Sequence, residues 1–219
     1  MRLLAAAALL GAAACSSTQR PVALLGGPAR FDLTDADAFR IHGGQVELVA
    51  EADYAPPHRS PRAIALLDGT EYRSFTLDVE MMQTGREYGH RDLCLFFGFE
   101  SAERFYYVHL ATAPDPRAHN VFLVDAAARR NLIPAREQGV DWGQEEWHRV
   151  RLVRDVDAGA VRVYFDDMLV PVLEAEDRTI EWGRIGFGSF DDTGRFKDPV
   201  LSSYESRPSD PWGSPFDAD

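Results

Sequence analysis

A chain of 219 residues with 45% hydrophobic and 11% aromatic side chains can bury a sizeable core without a disulfide or metal staple, and that composition excludes general disorder. Its formal net charge of −12 excludes nucleic acid as a partner, because phosphate binding demands a basic stripe. The same charge disfavours an acidic polysaccharide unless arginines cluster locally.

Met1-Arg2 supplies a short positive region, Leu3 to Leu10 an apolar run, and Ala12-Ala13-Ala14 small residues ahead of Cys15. That is the layout of a secretory signal over 1–14, too short to span a bilayer. Cys15 directly after three alanines resembles a bacterial lipobox, with Ala12 standing where leucine is usual. The resemblance implies an exported, lipid-anchored protein, periplasmic or at the cell surface, whose membrane contact is the anchor alone. The alternative is an ordinary signal peptide cleaved near Ala14. Residues 15–29 then read as lipidated cysteine and tether, 30–201 as one β domain, and 202–219 as a loose polar tail in which Trp212 and Phe216 are the docking candidates. Cys94 lies in an apolar run and reads as a buried free thiol; with Cys15 lipidated no disulfide can form.

The domain carries a period of two. Phe75 to Met81 alternates apolar and polar residues, and Leu93, Leu95, Phe97 and Phe99 alternate with Asp92, Cys94, Phe96 and Gly98. In Arg104 to Leu110, Tyr106, Val108 and Leu110 share one face, and Phe105, Tyr107 and His109 the other. Further strands are expected at Asn120–Val124, Trp147–Arg154, Ala160–Phe165, Leu169–Leu173 and Arg184–Gly188. Turns at Asp157-Ala158-Gly159 and Asp166-Asp167 divide them. Many short strands at regular spacing predict an all-β sandwich of two antiparallel sheets in a single domain.

The pair Asp92–Phe99 and Arg104–Leu110 resembles the paired strands of concanavalin A-like laminin-G and 3-keto-disaccharide hydrolase domains. Trp147–Arg151, Val161–Asp167 and Trp182–Gly188 follow that superfamily's order. The resemblance implies a jelly roll whose ligand, an oligo- or polysaccharide, lies on the open polar face of a sheet or on loops at its rim. It does not specify a reaction.

Family 16 glycoside hydrolases share this fold and use a Glu-x-Asp-x-Glu strand. Here the best match is Thr76-Leu77-Asp78-Val79-Glu80, where threonine cannot replace the nucleophile. A second candidate joins His90, Arg91 and Asp92 to Tyr107 and His109 on the neighbouring strand. An aromatic face would take a sugar ring, and Arg91 and Asp92 would bond hydroxyls. His90 or His109 has the chemistry of a general base, while a structural arginine–carboxylate pair is the plainer alternative. The polar loop Ala113–Asn120 is a rim candidate, and Asn120 suits sugar recognition. Asp191 and Asp192 in a glycine-ended turn suit structural calcium, although Asx-turn chemistry gives the same pattern. Arg149, Arg151 and Arg162 read as a salt-bridged outer face. No cofactor or metal is expected, and no residue is assigned as catalytic. Three functions remain open: carbohydrate binding, a glycan hydrolase or lyase, and an envelope structural or adhesion module.

Overall fold

The computed structural model describes residues 20–25, 30–115, 117–134, 137–203, 205–209 and 215–216. The signal segment, Cys15 and Trp212 lie outside these residues. Strands β1 (Arg20–Ala23), β2 (Phe31–Leu33), β3 (Phe39–His42), β4 (Gln45–Leu48), β5 (Ala63–Leu67) and β6 (Thr70–Tyr72) come first. β7 (Phe75–Gln83), β8 (Asp92–Ser101), β9 (Arg104–Ala111), β10 (Asn120–Asp125) and β11 (Arg130–Asn131) follow. The chain then runs through β12 (His148–Asp155), β13 (Ala160–Phe165), β14 (Leu173–Glu176), β15 (Arg184–Ser189), β16 (Gly194–Ser203) and β17 (Ser206–Pro208).

Two large sheets result. One is ordered β14-β13-β12-β7-β16-β4-β3, with β1 also paired to β16; the other is β11-β10-β9-β8-β15-β5-β2. Neighbours run antiparallel. Alternation supplies the interior between them. Leu77, Val79 and Met81 of β7, Val150 and Leu152 of β12 and Phe196 of β16 pack with Leu93, Leu95 and Phe97 of β8 and Tyr106, Val108 and Leu110 of β9. Each buried aliphatic or aromatic side chain contributes about 1.5–3 kcal/mol of transfer free energy.

The two outer faces differ. On the eight-stranded sheet, Asp78 accepts two bonds from Arg151, at 2.9 and 3.0 Å, and one from Arg149, while Arg162 pairs with Glu174. This is the salt-bridged face read from the sequence. It also closes off a family 16 arrangement on β7, because the Asp78 carboxylate is held by two arginines. On the seven-stranded sheet the outer face is apolar. Ile64, Leu66, Cys94, Phe96, Phe99, Phe105, Tyr107, Phe122 and Val124 form a second cluster, covered by Tyr54 and Phe216. Among the described residues the open polar face expected for a ligand is therefore absent there, and a cleft opens at one end of the sheet.

Three expectations change. Phe99 does not join Leu93, Leu95 and Phe97. Gly98 adopts φ +55° within a register shift between Phe97 and Ser101. That irregularity turns Phe99 outward onto Phe105, ring centroids 4.7 Å apart. Leu169–Leu173 is not a strand. Leu169 and Val170 are 88% and 62% exposed, and β14 begins only at Leu173, because Asp166 at φ +57° extends the turn. Finally, pairing reaches past both expected domain limits: β1 pairs with β16, β17 with β6, and Phe216 packs edge-on against Tyr54 and Phe99.

Candidate functional site

Five connections converge at the open end of the seven-stranded sheet. The β7–β8 loop brings Tyr88 and His90, the β4–β5 loop Arg59, the β9–β10 loop Arg117, the β10–β11 turn Arg129, and the end of β15 Phe190 and Asp191. With Asp92 and His109 they line a half-open cleft of about 220 Å³.

The floor is a hydrogen-bonded knot around Asp92, which is fully buried. Asp92 Oδ2 accepts from the Cys94 thiol at 3.1 Å and the Phe190 N–H at 3.2 Å, and Oδ1 accepts from the Ser189 hydroxyl at 3.1 Å. His109 Nε2 lies 3.2 Å from Oδ2, close enough for an ion pair but off the line of a hydrogen bond. Burial pushes the Asp92 carboxyl up, but the His109 charge and these donors outweigh it and hold the group below its ordinary value. Burial, then the Asp92 charge, pushes the Cys94 thiol well up, so Cys94 is the inert buried thiol expected of it.

Beside the knot, Asp192 Oδ2 accepts from the Asp92 N–H at 2.9 Å and the Tyr88 hydroxyl at 2.8 Å. Desolvation first, then the Asp92 and Asp191 charges, push Asp192 up to about 6. Asp191 is pushed up as well, by burial and then by Asp92 and Glu51.

Two sets of groups here, Asp92-Cys94-His109 and Asp92-Asp191-Asp192, have ligand atoms within 4.8 Å of one another. The second contains the aspartates considered for calcium. Hydrogen bonds from N–H, O–H and S–H groups already take both Asp92 oxygens and Asp192 Oδ2. The residues fit a hydrogen-bonded floor and not a calcium cradle.

The walls are cationic and aromatic. The Arg129 guanidinium lies over Phe122 at 4.6 Å and over Phe190 at 4.8 Å. It donates to the Tyr107 hydroxyl at 2.6 Å and to the Arg117 carbonyl at 3.0 Å. Arg59 stands over the Phe190 ring at 5.7 Å. Arg117 is set at the rim by an Asx turn, in which Asp115 Oδ1 accepts from the Arg117 and Ala118 N–H groups at 2.7 and 3.0 Å.

Of the six residues expected from sequence, His90, Asp92 and His109 line this cleft and three do not. Arg91 precedes Asp92 on extended chain and so points the other way, donating to the Gly143 carbonyl at 2.6 Å. Tyr107 is fully buried and stacked on Phe122 at 4.9 Å; no sugar ring can reach it, and its part is to hold Arg129. Burial raises its phenol strongly despite the Arg129 charge. Asn120 is buried too, pinned by donating to the Ile133 carbonyl at 2.9 Å and accepting from the Ile133 N–H at 3.2 Å. His90 is exposed, 3.1 Å from Asp115. Sequence reading missed Arg59, Tyr88, Arg129 and Phe190, which sit on four different connections with no shared spacing to betray them.

Solved structures share this architecture. The carbohydrate-binding module CBM66 from Bacillus subtilis matches with a TM-score of 0.51 at 17% identity, over 73% of this chain and 96% of that one. Winged bean acidic lectin, solved with methyl-α-D-galactose, matches with a TM-score of 0.56 at 12% identity, over 88% of this chain and 100% of the lectin. The Bauhinia forficata lectin in complex with GalNAc gives 0.54 at 10% identity, over 88% and 100%. No family model and no curated protein matches the sequence. At such identities the likeness concerns fold. The chain is an all-β, concanavalin A-like jelly-roll sandwich of two antiparallel sheets.

Proposed function

We propose that the protein is an exported, lipid-anchored carbohydrate-binding protein that holds its ligand in the cleft between Phe190, Arg59, Arg117, Arg129, Tyr88 and His90. The observation that carries this is the cleft: an aromatic ring and arginine forks around a half-open hollow at the loop rim of a fold that carbohydrate-binding modules and lectins also use. Aromatic faces take the apolar side of a sugar ring, and guanidinium forks bond its oxygens. At about 220 Å³ the hollow is smaller than the roughly 300–1,000 Å³ of drug-sized sites, which suits one ring or a chain end. A glycan array probed with the purified chain, followed by calorimetry on the hits, tests the reading. Phe190→Ala is expected to weaken any hit at least tenfold, and a chain that binds no glycan contradicts the proposal.

A hydrolase or lyase reading draws on Asp191, a cleft carboxyl with a raised pKa. Binding stands ahead of it for a geometric reason. Neither His109 ring nitrogen reaches the surface and Asp92 is fully buried, while the exposed His90 is turned onto Asp115 at 3.1 Å, so no acid–base pair is set up around Asp191. Release of reducing or unsaturated sugar from an array hit is the result that would reverse this order.

Export and the anchor rest on the residues from Met1 to Cys15. Among the described residues no helix is long and apolar enough to cross a membrane. A Cys15→Ala chain is expected to leave the membrane fraction; one that stays membrane-bound contradicts the anchor.

A further inference from the structure

We propose that the cleft is built for an acidic sugar and seats its carboxylate or sulfate group among Arg59, Arg117 and Arg129; the proposal rests on the carbohydrate reading above. The protein has 35 acidic against 23 basic residues, so guanidiniums gathered in one hollow run against its overall charge. Elsewhere many arginines are paired with carboxylates within 4 Å, as with Arg73, Arg104, Arg151, Arg162, Arg195 and Arg207, and the exposed arginines without such a pair, Arg30, Arg40, Arg86 and Arg178, line no part of the cleft. The three arginines of the cleft are distinguished by lining one hollow together. Among the described residues none of them pairs with a carboxylate, although Asp92 and Asp191 line the same hollow.

The two cleft acids do not cancel the three cations. Asp92 is engaged by Ser189, Phe190, Cys94 and His109, and its charge is spent on the floor. Asp191 sets one carboxylate against three guanidiniums at the opening. The balance at the opening is therefore positive within a molecule whose total charge is −12. Such a local reversal of sign costs the fold repulsion among three guanidiniums. An anion between them removes that cost.

Arg129 is also set before any ligand arrives. Two aromatic faces and two hydrogen bonds hold its plane, so little side-chain freedom is lost on binding. A planar fork matches a carboxylate or sulfate better than a single hydroxyl does. The Phe190 ring, with Arg59 and Arg129 over it, supplies the apolar contact for the ring that carries the anion. A neutral sugar would leave the three cations facing one another.

The test uses matched saccharides. Oligogalacturonates are set beside their carboxyl-reduced forms, and carrageenan oligosaccharides beside their desulfated forms, on an array that also carries unrelated neutral glycans. Affinities are measured for the full chain and for Arg59→Gln and Arg117→Gln. Neither of these side chains has a hydrogen-bonding partner among the described residues, so both variants should keep the wild-type unfolding midpoint. The expected result is at least tenfold tighter binding of an acidic member than of its neutral twin, a preference that each variant erases; the pair that shows it tells carboxylate from sulfate. Equal binding of acidic and neutral twins, binding of neutral glycans alone, or acidic binding untouched by both variants overturns the acidic specificity and leaves carbohydrate binding standing. Binding of nothing on the array overturns both.

Discussion

Tyr107 delivers Arg129 to the cleft: the phenol, fully buried on the outer face of β9, accepts a 2.6 Å hydrogen bond from the guanidinium across β10. The ring and the hydroxyl do different work. Stacking on Phe122 at 4.9 Å anchors the ring, and the hydroxyl fixes the fork. Tyr107→Phe should keep the first and lose the second. The expected loss is about 1–2 kcal/mol in denaturant unfolding, with weaker ligand binding and an unchanged circular dichroism spectrum. Full retention of both stability and affinity would show that the phenol does not position Arg129.

Asp92→Asn tests the floor. Its folded pKa lies below the ordinary value of 3.8, so its stabilising contribution is fully present above about pH 4 and fades as pH falls through the lowered value. Disrupting a buried, multiply bonded carboxylate costs about 3 kcal/mol. Urea unfolding should show that deficit at pH 7 and a shrinking one as pH is lowered below 4.

Asp192 carries the opposite sign. Its pKa is raised from 3.8 to about 6, so the folded protein holds the proton more tightly than the unfolded chain does. Its contribution favours folding below about pH 4 and is lost as pH rises through about 6. Asp192→Asn should therefore be more stable than wild type at pH 7, by on the order of 1 kcal/mol, with the difference closing by pH 4. A variant less stable at both pH values would mean that the bonds from Tyr88 and Asp92 outweigh the carboxylate repulsion.

Gly98→Ala addresses the bulge that turns Phe99 outward. At φ +55° a side chain is strained, and a Cβ there would lie 3.1 Å from Tyr106 Cδ2. Thermal unfolding should show a loss of about 1–3 kcal/mol. A neutral outcome would mean that β8 can straighten without cost.

The fold was legible wherever alternation ran unbroken. β7, β9, β12 and β13 keep strict register and were read within a residue or two. β16 was missed, although it sits beside β7 near the middle of its sheet. It carries Asp198-Pro199, with Asp198 at φ +50° and a register shift between Lys197 and Val200, so its residues mimic a turn. The site was half legible. Asp92 and His109 are diagonal neighbours on β8 and β9, His109 facing Cys94 in register, and pairing of neighbouring strands can be inferred from alternation. Tyr107 failed because residue type cannot reveal that the outer face is itself buried, Asn120 because it is buried on Ile133, and Arg91 because it points away, onto the Gly143 carbonyl. Arg59 and Arg129 lie 70 residues apart in sequence, and only the closure of β5 and β10 onto one sheet brings them together.

The pairing of β1 with β16 begins at Arg20, and this sets a leash. If Cys15 carries the lipid, only residues 16–19 separate it from the first paired strand. A fully extended chain spans at most about 3.3–3.6 Å per residue, so the sandwich is held within roughly 15–20 Å of the bilayer surface. A domain moored that short cannot sweep the surrounding volume for its partner. With that anchor, whatever enters the cleft would have to be brought to the membrane, or be part of the layer already lying against it.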